Sequence, residues 1–310
     1  MAEYALNVSR SIKYFVSKLP VCVLPLVLML LQVIVSCDDT NEGTSETSEL
    51  VIEGWIDAGD FPVVKVSRSI RLAGDGIHLS DLEEYVDRWA RVTVSDGERE
   101  CVLVGRYDKK MFPPFVYTTS EMRGKPGHKY RITVEAFGDM KAEAVTDIPM
   151  DIPSVDSFSV EPVAGNDTLC RLYAYTRYRD KCRFFVRVRG KDTDMFPSYM
   201  CLYDSVMIGA DGKVPVNKGS TNVEKDRKSL FCYGDTVEIK IASLDNQSYR
   251  FWRDFEDMLS LSRNPLFPIS KNLHSNVDGA LGYWFGYGAR YYKVVLVRGK
   301  PLCRRLATHR

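Results

Sequence analysis

The hydrophobic and polar positions divide the chain into three regimes. Residues 19–35 carry no charge and are rich in Leu, Val, Ile and Met, behind a basic flank of Arg10, Lys13 and Lys18. A basic flank, an apolar run and a small residue at its end (Ser36) are the marks of an export signal. An uncleaved membrane anchor is the alternative: the run lies near the ~18-residue lower limit for spanning a bilayer, but Pro20 and Pro25 interrupt it. Residues 37–47 are acidic and rich in Gly, Ser and Thr, the composition of a flexible, solvated tether. From residue 48 onward, short alternating runs separated by turn signals predict strands.

In the first half these runs fall at 50–57, 61–70, 90–95, 100–105, 115–119, 130–134 and 141–146. Asp96-Gly97 sits between two of them as a hairpin turn signal. About seven short strands with frequent turns predict a sandwich. Lys125-Pro126-Gly127 leads into Tyr130, the arrangement in which a tyrosine closes a corner of an immunoglobulin- or fibronectin-III-like sandwich through its hydroxyl. Ser80-Asp81-Leu82-Glu83 reads as a capping box. Leu82, Tyr85, Val86 and Trp89 follow on one helical face, so a short helix is expected near 81–89. Pro149 and Pro153 mark a boundary.

The second half reads as strands at 169–176, 183–189, 235–242 and 283–297. Phe185, Arg187 and Arg189 alternate with Phe184, Val186 and Val188. That makes one face apolar and the other mostly basic, either solvated or facing a ligand. Residues 190–229 lack pattern and suggest a long loop or excursion. Asp245 is placed to cap a helix near 246–262 with Trp252, Phe255, Leu259 and Ser262 on one side. Gly286 and Gly288 in the last aromatic run signal a bulge or a close backbone approach. The expected fold is mainly β: two β-sandwich-like domains, the first (48–152) immunoglobulin/fibronectin-III-like, the second (153–310) β-rich, with one or two short inserted helices.

Composition narrows the chemistry. The net charge is +1, and removal of residues 1–36 leaves the rest close to neutral. Nothing in that balance suggests nucleic acid as a partner. Of eight cysteines, six (Cys101, Cys170, Cys182, Cys201, Cys232, Cys303) lie beyond residue 37. Export permits disulfides; Cys170–Cys182 and Cys201–Cys232 are local options, and free buried thiols are the other. The cysteines lack metal-ligand spacing. The four histidines are scattered, and neither a nucleophile elbow nor a phosphate loop occurs. No catalytic residue, metal or cofactor is therefore assigned. The candidate ligand-contacting residues are the late aromatics Trp284, Tyr287 and Tyr291, for which core packing is the competing role.

Ile34-Val35-Ser36-Cys37 resembles the lipobox of bacterial lipoproteins, which implies cleavage after Ser36 and lipidation of Cys37. Asp38, Asp39 and Glu42 behind it resemble the Bacteroidetes signal for display on the outer face of the outer membrane; a periplasm-facing lipoprotein is the alternative. The lipobox, LVIEGWI, PPFVYTTSE, PGHKYRITVEA and SNVDGALGYWFGYGA together resemble a Bacteroidetes outer-membrane lipoprotein family, the domain of unknown function 4249 family. That resemblance spans about 48–297, leaves 190–232 unmatched and brings no catalytic residues. It implies a non-enzymatic surface accessory, anchored by the lipid on Cys37, that binds or delivers a nutrient to a TonB-dependent outer-membrane receptor. An adhesin- or fimbrillin-like structural lipoprotein is the alternative, and a glycan or peptide hydrolase a further one.

Overall fold

The computed structural model describes residues 48–69, 83–109, 111–176, 182–189, 201–208, 211–218, 230–261 and 273–307. The expected export run, Cys37 and the expected tether lie outside them. No helix among the described residues is long and apolar enough to cross a membrane.

The first half supplies β1 (Leu50–Asp57), β2 (Val63–Arg68), β3 (Arg91–Ser95), β4 (Glu100–Tyr107), β5 (Phe115–Thr118), β6 (Lys129–Glu135) and β7 (Lys141–Asp147). Their alternating residues make them two-faced, and the buried positions of β1 and β2 meet those of β3, β4, β6 and β7 in one core. This is the expected sandwich. The Asp96-Gly97 hairpin joins β3 to β4, with Gly97 in the left-handed region at φ +91°. The tyrosine corner also forms. The Tyr130 hydroxyl accepts from the Lys125 amide at 2.9 Å and donates to the Arg123 carbonyl at 3.2 Å. Tyr130→Phe is expected to lower stability by about 0.5–1.5 kcal/mol, read as a reduced urea midpoint, because two backbone groups lose their partner while the ring still fills its place.

The expected helix at 81–89 is not there. Residues 83–85 make a single tight turn, Val86 bridges to Ser67 across the end of β2, and Trp89 is 94 % exposed. The bridge draws Val86 into extended pairing, so the i, i+3, i+4 face has no helix to stand on. Ser80–Leu82 lie outside the described residues.

The second half contributes β8 (Val155–Val163), β9 (Asn166–Thr176), β10 (Phe184–Arg189), β11 (Leu202–Tyr203), β12 (Lys213–Val216), β13 (Phe231–Cys232), β14 (Thr236–Ser243), a helix α1 (Asn246–Leu261), β15 (Leu281–Val295) and β16 (Leu302–Leu306). β8, β9, β12 and β13 form a four-stranded sheet. It packs against one face of β10, β14 and β15 to make a second sandwich core. The Asp245 carboxylate accepts the Ser248 amide at 2.7 Å and so caps α1 as expected.

The six cysteines beyond residue 37 are all free thiols, so neither local pair forms. Cys201 packs beneath α1 while Cys232 is exposed on the four-stranded sheet, in a different layer. Cys170 is sealed in the core of the second sandwich, on β9, and Cys182 precedes β10 in the other sheet.

β15 joins the halves. It pairs in parallel with β1 and antiparallel with β14, so a twelve-stranded sheet runs in the order β11-β10-β14-β15-β1-β2-β5-β4-β3-β6-β7, with β16 beside β15. The sheet is continuous across the boundary expected near residue 152. Fifteen residues suffice for one strand to serve three cores, because alternate side chains face opposite ways. Trp284 enters the first sandwich, Tyr292 and Val294 enter the second, and Phe285, Tyr287 and Tyr291 face α1. Gly286 and Gly288 lie between the two sandwiches, where the chain leaving β7 crosses the sheet. A Cβ on Gly286 would sit 2.6 Å from the Asp147 carbonyl oxygen, and one on Gly288 would sit 3.2 Å from that of Pro149. The close backbone approach expected from the sequence is therefore real.

Candidate functional site

Four strands (β1, β10, β14 and β15) and α1 build an aromatic centre with charges inside it. On β10, Phe185 and Arg187 point away from the second sandwich, and the apolar side of α1 closes over them. Phe251 and Trp252 of α1 meet Phe285 and Tyr283 of β15 edge-on or tilted, with ring centres 5.1–6.4 Å apart. The Trp252 indole N–H donates to the Tyr287 hydroxyl at 2.8 Å. Of the stripe predicted on the helix, Trp252 and Phe255 belong to this wall, Phe251 joins them unpredicted, and Ser262 lies outside the described residues.

Register places the charges. Arg187 pairs with Lys240 across β10 and β14, and Lys240 pairs with Tyr291 across β14 and β15. Asp57, at the end of β1, pairs with Tyr287. Lys240 Nζ donates to both Asp57 carboxylate oxygens at 2.7 Å, and the Tyr291 hydroxyl donates to Asp57 Oδ2. Asp57 is 2 % exposed and Lys240 5 %. Burial holds the Lys240 amine below its ordinary value, although the Asp57 carboxylate pulls the other way. Burial raises the Tyr291 hydroxyl well above its ordinary value, and Asp57 adds to that. The Lys240 ring contacts complete the enclosure: Tyr287 at 4.9 Å and Phe185 at 5.5 Å.

Of the sequence-predicted aromatics, Tyr287 and Tyr291 come together here. Trp284 does not, because its even position on β15 turns it into the first sandwich, where its indole N–H donates to the Tyr130 carbonyl at 3.1 Å. Asp57, Arg187, Lys240, Phe185 and Trp252 were not among the predicted site residues. The basic face of β10 was the signal for Arg187. At Arg187 that face is not solvated, because Trp252 of α1 covers it. Among the described residues, no three His, Cys, Asp or Glu side chains are grouped to hold a metal ion.

Buried tyrosines give the fold an alkaline limit. Burial pushes Tyr117 up to about 12, and it also raises Tyr287, Tyr283 and Tyr203. An unfolded tyrosine ionises near ~10, so above that pH the unfolded chain binds fewer protons than the native one. Their stabilising contribution is complete below pH ~10 and is lost as pH rises through the folded values. Absorbance at 295 nm is expected to show these tyrosines ionising only together with the loss of near-ultraviolet dichroism.

The family model described as a domain of unknown function (DUF4249) matches residues 38–292. No curated protein matches the chain.

Proposed function

Because the chain belongs to the DUF4249 family, we propose that it is a lipid-anchored accessory that binds a nutrient at the outer surface of the outer membrane for a TonB-dependent receptor. The observation that carries binding is the centre under α1, where aromatic rings from Phe185, Trp252 and Tyr287 surround buried cationic groups. Ligand sites combine such apolar walls with a few placed polar groups. The family match begins at Asp38, directly behind the lipobox cysteine, which supports Cys37 as the first residue of the exported form. The acidic residues behind Cys37 and the resemblance to Bacteroidetes lipoproteins support the outward-facing location and the receptor.

A C-terminally tagged protein isolated from its native outer membrane in gentle detergent tests this reading. A TonB-dependent receptor is expected in stoichiometric amount, and Cys37→Ala is expected to abolish membrane retention. Recovery of the lipidated protein alone would overturn the receptor partnership and favour a structural surface lipoprotein.

A further inference from the structure

Arg187 is 7 % exposed, and its Nε and Nη2 are buried with no hydrogen-bond partner among the described residues. These two nitrogens form one edge of the guanidinium. That edge can grip both oxygens of a carboxylate through two parallel N–H···O bonds. Arg189 and Arg290 each leave a single buried Nε, not an edge. The guanidinium carbon of Arg187 lies 3.9 Å from the Phe185 ring centre and 4.3 Å from that of Trp252. The rings hold the group against apolar surface and fix its orientation. The neighbouring ammonium of Lys240 is already held by Asp57, so that pair is complete without a ligand. A charged donor stripped of water and left unpaired is costly, and a ligand oxyanion is what its geometry fits.

We propose that Arg187 anchors a small ligand through a carboxylate, with the ligand's hydrocarbon part lying against Tyr283 and Phe251 in the space that the Trp252 indole gives up. This rests on the binding role proposed above and names its ligand class. A planar carboxylate matches the two parallel donors, and the aromatic walls select a flat, apolar body. Neither nitrogen touches solvent. Entry is therefore coupled to displacement of the Trp252 indole, which covers the guanidinium and is held by its bond to Tyr287.

Benzoate and its neutral isostere benzamide test this by isothermal titration calorimetry on the detergent-solubilised full protein. Benzoate is expected to bind about tenfold more tightly or better, the scale of a hydrogen-bonded charged contact. Arg187→Met is expected to abolish that preference. Arg187→Lys, which keeps the charge without the fork, is expected to weaken it. Equal affinities, absence of binding by either compound, or a preference that survives in Arg187→Met would overturn the proposal. Should Arg187→Met fail to fold, the Arg187 Nε–H proton resonance decides: a downfield shift with benzoate supports the contact and an unmoved resonance overturns it. The two readings fail separately. A co-purifying receptor without benzoate preference sinks the carboxylate alone, and benzoate preference without a receptor sinks the partnership alone.

Discussion

Asp57→Ala is expected to lower stability by about 3–5 kcal/mol, as for breaking a buried ion pair by removing one partner. The loss has a specific cause. Lys240 Nζ would keep its place at 5 % exposure and lose both oxygens that now hold it at 2.7 Å. The Tyr291 hydroxyl would lose its acceptor as well. Restoring water there is obstructed by Phe185 and Tyr287, which flank the ammonium. The double variant Asp57→Ala with Lys240→Met is expected to recover much of the loss, since it removes the stranded charge and leaves apolar contacts of similar length. Urea unfolding followed by circular dichroism measures both. Strictly additive losses would show that Asp57 stabilises the fold by something other than Lys240.

Trp284→Ala is the second large effect, also about 3–5 kcal/mol, the usual cost of emptying a core aromatic site. Trp284 is 0 % exposed, and the strand beside it is shaped around its ring. Gly54 stands opposite in the β1–β15 register, and a Cβ there would lie 2.7 Å from the Trp284 ring. The Asn276 side chain also brackets the Trp284 backbone, accepting its amide at 2.9 Å and donating to its carbonyl at 2.8 Å. The void left by alanine therefore has rigid walls and collapses little. Equilibrium unfolding is expected to show the loss, and Trp284→Phe a smaller one. A change under 1 kcal/mol for the alanine variant would mean that the first sandwich does not depend on β15.

Local chemistry was legible in the sequence where one segment decides it. The Tyr130 corner, the Asp96-Gly97 turn, the Asp245 cap and the close approach at Gly286 and Gly288 each need only a few neighbouring residues. The charged centre was not legible, because alternation reports burial of one face and assigns the other to water. Glu238, Lys240 and Ala242 alternate with Val237, Ile239 and Ile241 as a solvated face would. That face is nonetheless buried: Ala242 packs in the cluster that includes α1, and Lys240 lies under Asp57, Phe185 and Tyr287. The partner of Lys240 lies on β1, and no periodicity within either segment announces a contact at that separation. The helix expected at 81–89 failed for the converse reason, since a good local pattern lost to a strand pairing made by Val86.

The parallel pairing of β1 with β15 bears on how the chain acquires its structure. Each partner pair, from Val51 with Leu281 to Asp57 with Tyr287, is separated by 230 positions. Closing so long a loop is entropically costly and is repaid only once the pairing is made. All three cores draw on β15, which leaves the ribosome after every strand it pairs with except β16. Closure of all three cores therefore waits until nearly all of the chain has been made. Under the export proposed above, that delay keeps the chain extended enough to be threaded across a membrane.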